Sequence, residues 1–327
     1  MIISRTPVRL SMGGGGTDLA SYYEKHEGFL MAAAINKYVF VSINKRFNPS
    51  IRLSYSKTEI VEHVDEIEHR IIKEALKSLN ITKQIEIVSI ADVPANSGLG
   101  TSSTFTVSLL NGLHAYKKDY ISLEKLAEAA CDIEINRLKE PIGKQDQYAS
   151  AFGGFNAYWF KKDGSVIVEP VNMREEVMAE LQSNLFLFYL NSERSASAVL
   201  TSQNQKSKDG DQQTLDRLHK IKAIGLETKS LFEKGDIDSF GEILHEHWLT
   251  KKGLSDKVSD PKIDEAYETA RKHGALGGKV VGAGGGGFLL VYCPREKAKL
   301  VAGMKKLGLE PMWFSFEHEG AKIIYYG

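Results

Sequence analysis

Residues 94–103 read Pro94-Ala95-Asn96-Ser97-Gly98-Leu99-Gly100-Thr101-Ser102-Ser103, and an apolar helical pattern (Phe105, Leu109, Leu110, Leu113) follows at once. Glycine has no Cβ, so Gly98 and Gly100 let the backbone turn tightly and lay its N–H groups against an approaching anion. The first turn of the next helix adds N–H groups without intrahelical partners and the positive end of the helix dipole. Loop and helix together make a phosphate site, to which Thr101, Ser102 and Ser103 bring hydroxyls for phosphate or a hard cation. Taken alone, the stretch also fits a Ser/Gly loop that only caps a helix. A strand signal, Ile85, Ile87, Val88 and Ile90, runs straight into it.

Two further glycine clusters flank this loop. The first is Arg5-Thr6-Pro7-Val8-Arg9-Leu10-Ser11-Met12-Gly13-Gly14-Gly15-Gly16-Thr17-Asp18; the last is Gly278-Lys279-Val280-Val281-Gly282-Ala283-Gly284-Gly285-Gly286-Gly287. The last satisfies the dinucleotide pattern G-x-G-x-x-G, but a Rossmann site needs a helix to open at the glycines. Here Phe288-Leu289-Leu290-Val291-Tyr292-Cys293-Pro294 reads as a strand with a proline stop, so a nicotinamide or flavin site is rejected. No G-x-x-x-x-G-K-[ST] sequence occurs, which excludes a Walker-type site. A plain hairpin remains open for the last cluster. For the first, Asp18 is either the N-cap of a helix at Leu19-Ala20-Ser21-Tyr22 or an acceptor for ligand hydroxyls.

Bulk properties narrow the class. A chain of 327 residues is comfortable for two domains. Lys plus Arg and Asp plus Glu both total 42, so no charge excess points to nucleic acid or an anionic membrane. Cys131 and Cys293 sit in apolar patterns and suit buried thiols in a reducing compartment. With no apolar leader and no run of membrane length, the expected location is cytoplasmic.

Periodicity predicts strands at 35–46, 155–160 and 184–190, and helices at 65–79, 214–234, 236–252 and 262–274. Ser122 is the expected N-cap of a helix through Leu138. The polar segment 202–213 reads as an exposed connection. Strands and helices interleave without regular βαβ units, an α+β pattern in two domains (1–183 and 184–327).

Together the three glycine clusters resemble, in order and over nearly the whole chain, the motifs of the GHMP small-molecule kinases. The resemblance implies an N-terminal domain of the ribosomal-protein-S5-domain-2 type and a ferredoxin-like C-terminal domain, with the site between them. It implies ATP and Mg²⁺, with ATP held by Pro94, Asn96, Ser97, Gly98, Leu99, Gly100, Thr101, Ser102 and Ser103. The segment Gly143-Lys144-Gln145-Asp146-Gln147 resembles the family's catalytic aspartate segment, making Asp146 the general base or the residue that orients the acceptor hydroxyl. By pattern alone Asp146 would be a helix cap. Arg9 aligns with the arginine that galactokinases carry nine residues before their sugar-binding aspartate, where a cation beside Asp146 would stabilise its charge, and Glu134 aligns with a glutamate that holds Mg²⁺ opposite Ser102. Without the resemblance Glu134 would be a solvated helix charge.

The substrate side is implied to include Asp18, Gly15, Gly16, Gly284 and Gly285. A ten-residue stretch, Lys139-Glu140-Pro141-Ile142-Gly143-Lys144-Gln145-Asp146-Gln147-Tyr148, together with Gly14-Gly15-Gly16-Thr17-Asp18, is similar to the branch that phosphorylates D-glycero-D-manno-heptose 7-phosphate at its anomeric hydroxyl, for nucleotide-heptose synthesis. A sugar phosphate needs a second anion site, expected at Arg194 and Ser195 with further charge from Lys251 and Lys252. His245 and His247 are two apart, the wrong spacing for a shared metal on one helical face. A kinase for an unphosphorylated sugar and a non-catalytic sugar sensor on the same fold are the alternatives. Oligomeric state is left open.

Overall fold

The computed structural model of the chain describes residues 1–191 and 196–327. The larger of two sheets is built from β1 (Ile2–Gly13), β2 (Gly28–Lys45), β3 (Ile51–Ser54), β4 (Thr58–Val61), β5 (Ile85–Ala91), β6 (Phe155–Phe160) and β7 (Val166–Pro170). The smaller holds β8 (Leu185–Tyr189), β9 (Gly277–Val280), β10 (Phe288–Tyr292) and β11 (Pro311–Met312) in the antiparallel order β11-β8-β10-β9. That order is the ferredoxin-like one, with four helices rather than one between β8 and β9 among the described residues. The last strand, β12 (Lys322–Tyr326), pairs with β1, so the larger sheet draws strands from both sides of the expected boundary at residue 183.

β2 organises the larger sheet. Its first part, Gly28–Ala33, pairs with β6, and its second, Val39–Lys45, pairs with β5. Phe29 to Ile35 are apolar and buried without alternation, as a strand covered on both faces must be. Val39, Val41 and Ile43 alternate inward, as their spacing predicts. The helix Thr101–Tyr116 packs across β1 and β2, and residues of both sheets share one core, from Val8 and Phe29 to Phe240 and Tyr292.

The Ser122 cap is present, its hydroxyl accepting from Lys125 N–H at 3.4 Å. One expectation is corrected. Of the polar stretch 202–213, residues 202–208 belong to the helix Ala196–Lys208, and only 209–211 form an exposed connection to the next helix. Val199, Gln203 and Ser207 are buried at four-residue spacing. The two polar ones bond to backbone of the first glycine turn and the helix behind it, Gln203 to Gly16 O (3.5 Å) and Ser207 to Ser21 O (3.3 Å). Their polarity hid an inward face from a hydrophobicity reading.

Glycines set how closely the layers meet. Gly225, in the helix Gln212–Lys234, lies against Gly13 and Gly14, and Gly277 of β9 lies against the helix Ile237–Lys252. A Cβ on Gly277 would fall 2.1 Å from Gly241 O. We therefore expect Gly277→Ala to push that helix off β9 and destabilise the protein by about 1–3 kcal/mol in urea denaturation. A midpoint equal to the parent's would show that this contact does not seat the helix.

Candidate active site

Arg9 lies on β1 between Val8 and Leu10 and is almost wholly buried. A guanidinium taken out of water is stable only when paired. Its Nε and Nη2 donate to Asp146 Oδ1 at 2.7 and 2.6 Å, and its Nη1 donates to Gly98 O at 2.7 Å. One side chain thus ties the phosphate loop to the carboxylate. Asp146 is no helix cap: it is the second residue of the helix Gln145–Phe152, and its side chain is a quarter exposed toward the cavity.

The N-terminus of that helix is served from across the chain. Lys144 provides no side-chain cap, and Gln145 N–H donates instead to Asp18 Oδ2 at 3.2 Å. Asp18 Oδ1 accepts from Gly16 N–H at 3.0 Å, closing the first glycine turn. Asp18 is therefore not the cap of the helix that follows it, whose N-cap is Leu19. Gly143 is obligatory here, because a Cβ would sit 1.9 Å from Asp18 Oδ2.

The phosphate loop has the backbone expected of it. Gly98 (φ 80°) and Gly100 (φ 78°) are left-handed, and no side chain caps the first turn of the helix Thr101–Tyr116. Its leading N–H groups are left for an anion. The third glycine cluster is a hairpin connection between β9 and β10 that packs backbone to backbone on this loop. A Cβ on Gly282 would fall 2.7 Å from Gly98 O, and one on Gly287 would fall 2.1 Å from Ser97 O.

The helix Leu123–Cys131 continues as a π-helical turn, Asp132–Arg137, which changes the facing of its residues. Glu134 is there buried rather than solvated. Its Oε2 accepts from Gln147 Nε2 at 2.7 Å and its Oε1 from Ser102 Oγ at 3.5 Å. No cationic side chain pairs with it among the described residues. A buried carboxylate beside a hydroxyl, both hard oxygen donors and otherwise lacking a counter-charge, suits Mg²⁺ held by few protein ligands.

These groups line one cavity of about 520 Å³. Asn96, Ser97, Gly98, Gly100 and Thr101 to Ser103 face it, as do Arg9, Gly15, Gly16, Asp18, Glu134 and Asp146. Leu99 is instead core, and Pro94 serves through its carbonyl, which accepts from Thr101 at 3.3 Å. Gly284 and Gly285 turn onto Val258, and Gly282 and Ala283, with Lys279, are the members of that cluster that meet the cavity. Arg194 and Ser195 lie outside the described residues. Lys252 is turned away, paired with Asp264 at 2.6 Å.

Part of the lining was missed from sequence, although Lys251 was among the charges expected there. The cavity runs on between Glu68–Ile71, which no motif marks, and Leu138–Ile142, whose last four residues open the Lys139–Tyr148 stretch. Its other side carries His247 and Lys279, both buried, and the partly buried Lys251. A lysine in the apolar β9 pattern was the available signal for Lys279. Among the described residues no three His, Cys, Asp or Glu side chains gather as a metal centre, and no helix is long and apolar enough to cross a membrane.

Electrostatically the site is held under tension. Burial, with Asp146 nearby, pushes the Asp18 carboxyl up to about 6. Burial likewise pushes Glu134 up to about 7, against the Gln147 hydrogen bond. Burial, then the Arg9 charge, brings Lys251 down to about 7. Lys279 and His247 are held well below their usual ranges, again chiefly by burial.

A glycine loop at an open helix N-terminus, facing a guanidinium-held carboxylate, is equipment for moving a phosphoryl group onto a small molecule. Comparison with known proteins agrees. The chain matches the GHMP kinase N-terminal domain over residues 69–154 and the GHMP kinase C-terminal domain over residues 228–306. It is 32% identical to a D-glycero-alpha-D-manno-heptose 7-phosphate kinase of Campylobacter jejuni, over 98% of each chain. It superposes on a structure from Bacteroides thetaiotaomicron described as a D-glycero-D-manno-heptose 1-phosphate kinase with a TM-score of 0.83, at 29% identity and over the whole of both chains. Lactococcus lactis galactokinase complexed with galactose shares the fold, with a TM-score of 0.79 at 16% identity over 98% and 94% of the two chains. The chain belongs to the GHMP kinases, and it is an ATP-dependent kinase.

The shifted groups give a stability profile with opposite slopes. Folded Asp18 and Glu134 keep protons that the unfolded chain releases above about pH 4, so their contribution falls as pH rises through 6 to 7. Folded Lys251 has released a proton that the unfolded chain keeps, so its contribution recovers between 7 and 10.5. In urea denaturation of the ligand-free protein, Glu134→Gln is expected to flatten the decline between pH 5 and 7. Lys251→Met is expected to flatten the rise between pH 7 and 9. Slopes identical to the parent's would exclude these groups.

Proposed function

We propose that this kinase transfers the γ-phosphoryl group of ATP to the anomeric hydroxyl of D-glycero-D-manno-heptose 7-phosphate, giving the 1,7-bisphosphate. The observation that carries the reading is the Arg9–Asp146 pair bonded to the Gly98 carbonyl, in a chain similar from end to end to a heptose 7-phosphate kinase. The coarser part, a heptose kinase, draws on two relatives; the position of the substrate's own phosphate differs between their names.

In this reading the nucleotide phosphates lie on the N–H groups of Gly98 to Ser103, and the base takes the apolar end beside Ile71, Leu138 and Ile142. Ser102 and Glu134 would hold Mg²⁺, which supplies charge neutralisation at the phosphates. Asp146 accepts a hydrogen bond from the sugar hydroxyl and orients its oxygen at the γ-phosphorus. As that oxygen forms its bond to phosphorus, the bond to the ADP oxygen breaks. The hydroxyl proton passes to Asp146 and then to water. Arg9 keeps the carboxylate aimed, and its charge also favours the alkoxide character that develops on the sugar oxygen. Asp18 holds the Asp146 helix and the first glycine turn in one frame, so its role is positioning as well as sugar contact.

The test is ADP release over heptose, mannose, fucose and galactose, each with and without a terminal phosphate, with the product's new phosphate located by phosphorus NMR. Preference for an unphosphorylated sugar would replace the heptose phosphate, and no turnover with any of them would favour a sensor. In the active enzyme we expect Asp146→Asn to lower kcat about 10²- to 10⁴-fold with ATP affinity little changed. Near-normal turnover of that variant would remove Asp146 from the mechanism.

A further inference from the structure

We infer that Lys279 and Lys251, together with His247, form a preformed anion subsite that takes a phosphate group on the sugar at the end remote from the reacting hydroxyl. The inference deepens the sugar-phosphate reading and rests on it. It replaces Lys252, whose charge is spent on Asp264.

The placement comes from two elements. Lys279 projects from β9, Lys251 and His247 project from the helix Ile237–Lys252, and all three line the cavity that holds Asp146. Lys279 Nζ donates to Met12 O at 3.3 Å, beside the first glycine turn, and lies 3.4 Å from His247 Nδ1. Lys251 Nζ donates to Val280 O at 3.1 Å and to Gly282 O. An ammonium has three donors. Each lysine therefore keeps one, and His247, accepting at Nδ1, keeps its other ring nitrogen.

These cations, like the carboxylate of Glu134, lack a counter-charge among the described residues. Among the described residues no carboxylate lies within ion-pair distance of Lys251 or Lys279, while Arg9 has Asp146. Carbonyl oxygens steady an ammonium but do not neutralise it, and an unpaired buried charge is costly. Apolar side chains of the same length would fill both positions without that cost. A dianionic phosphate bridging the two lysines supplies the missing counter-charge. The phosphates of ATP are already provided for by the loop N–H groups; Lys279 meets the chain at Met12, next to the turn where Gly15, Gly16 and Asp18 face the cavity, and Lys251 meets it at Gly282, which packs on Gly98 of the phosphate loop.

The experiment reads discrimination: the ratio of kcat/KM for heptose 7-phosphate to that for heptose. Loss of one charge-assisted hydrogen bond corresponds to roughly a ten- to hundredfold change. Lys279→Met and Lys251→Met are each expected to lower the ratio by that factor, with the loss in KM for the phosphorylated sugar. Lys279→Arg, which keeps the charge, is expected to retain most of the ratio, and Lys252→Met all of it. Equal losses on the two sugars, a loss expressed in KM for ATP, or an unchanged ratio would each overturn the subsite.

If the parent enzyme phosphorylated no heptose, the proposed function would fail by itself. The subsite would then be read by binding of mannose 6-phosphate against mannose, to protein saturated with a non-hydrolysable ATP analogue. A ten- to hundredfold preference for the phosphate that disappears in Lys279→Met, with thermal unfolding showing that variant folded, upholds the subsite. No preference in the parent protein overturns it. Should Lys279→Met not fold, the same comparison in Lys251→Met decides.

Discussion

The guanidinium of Arg9 is the constraint on which the site depends. It is buried, so it must be paired, and its partners come from two separate parts of the chain: the carboxylate of Asp146 and the carbonyl of Gly98. Satisfying one charge therefore fixes the distance between the loop that faces the phosphates and the group that faces the acceptor hydroxyl. β1 supplies the rigid base, held on one side by β2 and on the other by the returning strand β12. Geometry of this kind matters because a transferred phosphoryl group asks of a protein mostly position and charge.

Around that pair the three glycine clusters serve by letting backbone touch backbone. Gly282 and Gly287 rest on Ser97 and Gly98, Gly143 rests on Asp18, and Gly225 rests on Gly13 and Gly14. Of the glycines of the first cluster only Gly15 and Gly16 reach the cavity, because Gly13 and Gly14 are taken up by a helix and a strand. The ferredoxin-like sheet is thereby locked to the phosphate loop, and the cavity forms at the seam. Asp18 does similar work with a side chain, bonding Gly16 and Gln145 at once.

The interior of the site carries charges of both signs that are not mutually neutralised. Glu134 and Asp18 are carboxyls raised by burial, and Lys251 and Lys279 are ammoniums lowered by it. Such groups destabilise the empty protein and strengthen the filled one, since a cation and phosphates entering the cavity remove the desolvation penalty. Preorganised charge of this sort is what an enzyme sets against charge that develops in a transition state.

The class of fold and the outline of the site were legible in the sequence. Gly98 and Gly100 before an apolar helix announce an anion loop because only glycine serves there, and the alternation of Val39, Val41 and Ile43 announces a half-buried strand. The proline-stopped strand after Gly287 ruled out a dinucleotide fold for the same local reason. What sequence could not decide was which polar residues turn inward. The inward facing of Glu134 comes from a π-helical turn, Gln203 and Ser207 are buried by bonding to backbone far away in the chain, and Lys279 stands in a strand whose inner face is covered by another helix. Burial of a polar group depends on partners brought by tertiary contact, and local pattern carries no record of them. The sequence by itself determined the loops, the strands and the kind of chemistry. Only the folded chain decided which charges share the cavity, because that depends on what lies across it.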